Sequence, residues 1–150
     1  MKKDEFKQHL IEAIDSQPNR YHPLVWISKE FPDIGKNCYI GGFTEIYSKD
    51  GAVVIWDDCD IASFVVINCA DSHLETIGKS SVVEILPILI QNNVFIGTMS
   101  AILGGTTIGH HSVIGAGVVL KNRDIPPYSL VYRDDSGALI IKEGYYRHDN

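Results

Sequence analysis

Residues 90–120 read IQNNVFIGTMSAILGGTTIGHHSVIGAGVVL. Every sixth residue is branched and apolar: Ile90, Ile96, Ile102, Ile108, Ile114 and Leu120. Four residues after each of the first five stands a small or β-branched one: Val94, Ser100, Thr106, Ser112 and Val118. Glycine follows the isoleucine at Gly97, Gly109 and Gly115. On an α-helix, residues six apart miss closure by about 120°, so this spacing builds no single apolar stripe. The glycines and the wealth of Val, Ile and Thr also oppose a helix. A repeat at fixed period is the mark of a solenoid, and a period of six predicts a parallel β-helix.

In such a solenoid each hexad supplies one short strand and one corner. The branched residue points inward and stacks coil upon coil at strand spacing, about 4.8 Å. Glycine is expected at the corners, where it takes positive φ without a Cβ penalty. The two ends of the stack expose unpaired edges, so caps or partners are expected.

The register extends upstream. Hexads begin at Ile34, Ile40 and Ile46, and again at Ile55, Ile61 and Ile67. The Ile46 repeat is three residues too long, and the polar Ser48–Gly51 stretch predicts a corner bulge there. Ile67 and Ile90 are 23 residues apart, which is not a multiple of six. A hexad near Glu84 rejoins the register at Ile90, so a loop is extruded at about residues 72–83. Insertions into repeats become loops, where function concentrates.

Before the coils, Phe6, Leu10, Ile11 and Ile14 fall at helical spacing, predicting an amphipathic helix over 3–16 that caps the first coil. Pro18 and Pro23 break the chain after it. Leu24 to Ile27 is expected to form a short strand at the open end. Past Leu120, Pro126 and Pro127 end the regular coils. Leu139 to Ile141 is expected to form a last strand behind a turn at Asp135–Gly137, and the tail from Glu143 is polar. The expected layout is a single domain over 1–150. It comprises a helix and loop (1–23), the hexad coils (34–125) and a C-terminal segment (126–150).

The net charge of −6 gives no footprint for nucleic acid. No run approaches the roughly 20 apolar residues of a membrane span, and no long apolar stretch follows the charged MKKDEFKQHL, so the chain reads as cytoplasmic. Cys38, Cys59 and Cys69 are odd in number and lack CxxC spacing, against a disulfide framework or a structural zinc site. Cys38 and Cys59 occupy the small inward slot of their hexads.

The stretch from Ile90 to Pro127, ending in KNRDIPP, closely resembles the C-terminal coils of the hexapeptide-repeat acyltransferases, the left-handed β-helix family. The resemblance implies a mostly β fold, a left-handed parallel β-helix with a short N-terminal helix and an extruded loop. It implies transfer of an acetyl group from acetyl-CoA to a hydroxyl or amine. The acceptor would be a sugar or nucleotide-linked sugar in surface polysaccharide biosynthesis. It also implies a homotrimer with sites between neighbouring prisms, and no metal. In that family a histidine on the extruded loop is the general base, and His73 is the only histidine in this loop. The coenzyme's pantetheine arm is expected along Gly97, Gly115, Ala116 and Gly117, with Lys121 near the phosphates. Many members continue from the PP segment into G-x-P-A-[KR]; here the chain reads VYRDD, which leaves Arg133 as the basic candidate for the adenine end. Phe95 stands where the family often has Trp.

The chemistry of acyl transfer fits the loop. As the acceptor attacks a thioester it must lose a proton, and a neutral imidazole is suited to take it. A carboxylate on the other ring nitrogen fixes the tautomer and stabilises the imidazolium. Asp71 or Glu75, on either side of His73, are candidates, as is a backbone carbonyl. The oxyanion needs a donor, either a backbone N–H near Gly97 or Gly115 or a side chain across a subunit boundary. A contrasting reading keeps the scaffold without acyl transfer, either as an inactive assembly component or as a zinc enzyme of the gamma-carbonic-anhydrase kind. Zinc needs three protein ligands and an open position. His110 and His111 are adjacent, and no HxxxxH pattern is present.

Overall fold

The computed structural model describes residues 1–15 and 19–146. Pro18 lies outside the described residues, as does the side chain of Ile14. The fold is mostly β, a solenoid of parallel stacked coils with three faces. The first face stacks Trp26–Ile27, Glu45–Tyr47, Val66–Asn68, Ala101–Leu103 and Val119–Leu120. The second stacks Asp33–Ile34, Val53–Ile55, Ile88–Ile90, Thr107–Ile108 and Asp124–Ile125. The third stacks Tyr39–Ile40, Asp60–Ile61, Phe95–Ile96, Val113–Ile114 and Leu130–Arg133. It ends with Leu139–Lys142, which pairs antiparallel with Leu130–Arg133. Each coil visits the faces in that order, so five coils make the prism.

The isoleucines set the register. Ile46 pairs with Ile67, Ile67 with Ile102 and Ile102 with Leu120. Ile40, Ile61, Ile96 and Ile114 form the same ladder on the third face, closed by Val131. All of these side chains are buried. The small slot lies beside them. There Cys59 is buried and its S–H faces the Gln91 carbonyl at 3.1 Å, while Cys38 does the same to Trp56. Burial pushes the Cys59 thiol up to about 12, so it packs as an inert apolar group. Thr106 fills one of these slots, and its Oγ1 is buried with no partner among the described residues. Thr106→Val keeps the shape and removes the orphaned hydroxyl. Urea unfolding is expected to show a gain of about 1 kcal/mol.

Two expectations need correction. The glycines that follow the isoleucines are not at positive φ. The left-handed corner residue comes two positions later, at Asn37, Phe43, Met99, His111 and Gly117. The hexad glycines answer a different demand, close approach of the next coil. A Cβ on Gly109 would lie 2.4 Å from Pro127 N, and one on Gly97 would lie 2.6 Å from Ala116 N. The second correction concerns the helix, Lys3–Asp15. It forms where the spacing predicts, but it does not cap the first coil. Phe6, Leu10 and Ile11 remain 57%, 47% and 53% exposed and lie outside the core cluster. The first coil is covered instead by the segment from Asn19 to Val25. Tyr21 packs on the core, and Asn19 Nδ2 donates to the Val25 carbonyl at 2.9 Å. Helical periodicity reports an apolar face and is silent on what that face meets.

Elsewhere the expected punctuation is present. The Ser48–Gly51 bulge turns through Asp50 and Gly51, both at positive φ. Arg133 Nη1 donates to Gly137 O at 2.8 Å, and Asp134 accepts from Ser136 and Ala138, which fixes the turn before the last strand.

Candidate active site

The chain leaves the prism after Cys69 and returns at Leu86, whose N–H bonds the Cys69 carbonyl at 3.0 Å. Between them Ala70–Asp71 pairs antiparallel with Glu84–Ile85. Residues 72–83 are thus extruded on a two-stranded stalk, in the span that the broken hexad register predicts. A helical turn, His73–Thr76, opens the loop, and Gly78 at φ 76 turns it back.

Asp71 is the centre of this arrangement. Its Oδ1 accepts the His73 backbone N–H at 3.0 Å and faces His73 Nδ1 at 2.5 Å. Its Oδ2 accepts from Lys121 Nζ in a short charged hydrogen bond. Lys121 and then His73 hold the Asp71 carboxyl well below the usual carboxylate range, and Asp71 in turn raises Lys121. The carboxylate therefore stays ionised at neutral and mildly acidic pH. An anion on Nδ1 favours the Nδ1–H tautomer and leaves the Nε2 lone pair for chemistry. The His73 side chain is 61% exposed, so acceptors can reach it.

Beside the pair lies a hollow of about 220 Å³, lined by Cys69, Ala70, Asp71, Glu84, Leu86, Leu103, Gly104 and Lys121. Leu86, Leu103 and Gly104 give it an apolar floor, and Asp71, Glu84 and Lys121 give it a charged rim. Glu84 is a residue that the sequence reading passes over. It stands opposite Asp71 in the stalk, and the only signal for it was that the register resumes there.

The sequence candidates divide between two corners of the prism. His73, Asp71 and Lys121 meet at the corner between the first and second faces. Gly97, Gly115, Ala116 and Gly117 lie at the corner between the third and first faces. The strand Val119–Leu120 separates them, so Gly117 and Lys121 stand roughly 13 Å apart along the chain. Gly97 packs under Gly115 and Ala116, whereas nothing lies within 4 Å of a Cβ placed on Gly117, at φ 71. The Gly97 and Gly115 N–H groups are bonded to Ile114 O and Val131 O, both at 2.8 Å. They hold the coils together and are not free to meet an oxyanion, so of the two proposed sources those two amides drop out. Arg133 is engaged by its own turn. Among the described residues the His73 ring is held by Asp71 and not by the Glu75 carboxylate.

His110 and His111 sit at a third corner, their Nδ1 atoms 3.0 Å apart, with the His111 ring stacked on Tyr128 at 5.2 Å between centroids. They do not approach His73, and no group of three or more His, Cys, Asp or Glu side chains converges on one point among the described residues. No helix among the described residues is long and apolar enough to cross a membrane.

With the geometry in place, comparisons bear on it. Residues 87–122 match the family described as bacterial transferase hexapeptide (six repeats). The galactoside O-acetyltransferase of Escherichia coli (strain K12) is 38% identical over 95 residues, which cover 63% of this chain and 46% of that protein. The match thus spans less than half of that relative's length. Among solved structures, a galactoside acetyltransferase in complex with coenzyme A aligns with a TM-score of 0.64 at 26% identity, covering 100% of this chain and 74% of that one. The polySia specific acetyltransferase NeuO aligns with a TM-score of 0.63 at 26% identity, covering 79% of this chain and 55% of that one. Residues 87–122 therefore carry that hexapeptide repeat, and the chain is similar to galactoside O-acetyltransferase and other acetyltransferases.

Proposed function

We propose that the protein transfers an acetyl group from acetyl-CoA to a hydroxyl or amine of a sugar or nucleotide-linked sugar, with His73 as general base and Asp71 as its orienting acid. The observation that carries the reading is the Asp71–His73 pair, held at 2.5 Å on the loop extruded from the prism. His73 Nε2 takes the acceptor's proton as its oxygen or nitrogen forms the new bond to the thioester carbonyl carbon. The tetrahedral intermediate then collapses with cleavage of the C–S bond. The imidazolium returns the proton to the departing thiolate, which leaves as free coenzyme A. Asp71 stabilises the imidazolium while it lasts, without itself taking the proton.

The coenzyme arm lies, in this proposal, across the first face from the Gly117 corner towards His73. Gly97, Gly115 and Ala116 shape that corner. The protein acts as a homotrimer in the cytoplasm, in surface polysaccharide synthesis. Two features support self-association. The hollow of about 220 Å³ is below the roughly 300–1,000 Å³ of a complete small-molecule site. The prism also presents Phe43, Phe64 and Met99, all exposed, along the corner next to the proposed coenzyme path. Phe43 and Phe64 stack at 5.0 Å, and all three hold positive φ, which costs about 1 kcal/mol each. A neighbouring prism packed on that ridge would bury it and bring the missing oxyanion donor.

Calorimetry of acetyl-CoA with the wild-type protein tests the reading, followed by product analysis on galactosides and nucleotide-linked amino sugars. Saturable binding and acetylated product are expected. No heat at millimolar acetyl-CoA, with the protein folded, would remove the acyltransferase reading. Stoichiometric zinc bound through His73, His110 or His111 would replace it with the hydratase.

A further inference from the structure

We propose that Lys121 is a positioning residue of the acid–base pair: its ammonium holds Asp71 so that the second carboxylate oxygen stays on His73 Nδ1. The inference rests on the acyl-transfer reading for its kinetic consequences, and on geometry alone for its spectroscopic ones.

The geometry is a chain of three groups. Lys121 Nζ donates to Asp71 Oδ2, and Asp71 Oδ1 meets His73 Nδ1 at 2.5 Å. The partners are 50 residues apart in sequence. Lys121 follows the fifth coil's strand on the first face, while Asp71 and His73 belong to the extruded stalk and loop. The pair therefore ties the loop to the prism. Asp71 sits in a two-residue strand whose only ladder partner is the equally short Glu84–Ile85. Within the loop the His73 backbone N–H holds Oδ1 at 3.0 Å, and the carboxylate is otherwise free to turn about that one bond. An ammonium on one oxygen removes that freedom, because the two oxygens are coplanar and fixing one directs the other.

The charged groups around the imidazole are Asp71 beside it, Glu75 on its own helical turn, Glu84 on the facing strand, Lys79 farther along the loop and Lys121 from the prism. Lys121 is the cation bonded to the carboxylate that holds the ring. A lysine so engaged is also poorly placed to serve as a counter-charge for coenzyme phosphates, since it would first have to release Asp71.

The test compares Lys121→Met and Lys121→Arg with wild type, and with Asp71→Asn as the reference for a lost anchor. In Lys121→Met, kcat is expected to fall roughly tenfold, by misplacement of the base. KM for acetyl-CoA should hold. Lys121→Arg should recover much of kcat, since a guanidinium can hold the same oxygen. Nitrogen-15 NMR of His73 needs no acceptor and no turnover. Wild type should show the Nδ1–H tautomer, and Lys121→Met should shift towards the Nε2–H form as Asp71→Asn does. An unchanged tautomer in Lys121→Met, with KM for acetyl-CoA raised and kcat kept, would assign Lys121 to the coenzyme phosphates and overturn the proposal. If wild type transferred no acetyl group at all, the functional reading would fall, and the NMR comparison would still decide what Lys121 does to His73.

Discussion

His73→Ala is expected to lower turnover at least about a hundredfold, the smaller end of what a positioned general base contributes. Acetyl-CoA affinity should change little, because the ring lies on the loop and the coenzyme path is proposed along the coils. Stability should also hold, since His73 is mostly exposed and its one side-chain partner is Asp71. Turnover and calorimetry on the same preparation check this. A variant that keeps wild-type turnover would place the base elsewhere. The pH dependence follows from the same pair. Asp71 is held well below the usual carboxylate range, first by Lys121 and then by His73. A carboxylate lowered in the folded state lends stability above its unfolded pKa and loses it only as pH falls through the folded value. Asp71 thus remains an anion throughout mild acidification. Activity lost on mild acidification is then not due to protonation of Asp71.

The coils were legible because one physical requirement repeats. An inward branched residue every six positions is needed wherever a strand closes the prism, so Ile90 to Leu120 carries its register openly. Interruptions were legible by arithmetic, which is how the extruded loop came out at 72–83. Docking of the helix was not legible, since Phe6, Leu10 and Ile11 declare a face without declaring a partner. Nor was the reason for Gly97 and Gly109, because a sequence shows a missing side chain but not the backbone that would have struck it. The bond between Asp71 and Lys121 was half legible. Leu103 pairs with Asn68, and Leu120 pairs with Ile102. Lys121 therefore stands in the same column as Asn68, two coils on, at the corner where the loop departs. Counting coils rather than matching the KNRDIPP segment would have brought it to the loop's base. What counting cannot supply is the stalk's lean, which decides that Asp71, and not Glu75, reaches both His73 and Lys121.

Gly97→Ala is expected to destabilise the protein by about 3 kcal/mol, the upper part of the range for overpacking. The new Cβ would lie 2.6 Å from Ala116 N and 2.8 Å from Gly115 C, both backbone atoms. No side chain can rotate away to relieve this. Relief requires the third and fourth coils to part, which breaks the 2.8 Å bond from Gly97 N to Ile114 O. Gly117→Ala is the contrast. Its Cβ meets nothing within 4 Å, and only the positive φ of 71° opposes it, at about 1 kcal/mol. Phe43 and Phe64 hold the same corner position three and two coils earlier, at φ 63 and 59, so the fold accepts side chains there. The bare surface at Gly117 is therefore not demanded by the solenoid. It is what a thioester arm or a neighbouring prism lying against that corner would demand. Urea unfolding of both variants checks the first half of the argument, and equal losses would refute it. Acetyl-CoA calorimetry on Gly117→Ala checks the second half. Weaker binding by a protein of nearly full stability places the coenzyme at that corner, and unchanged binding moves it off.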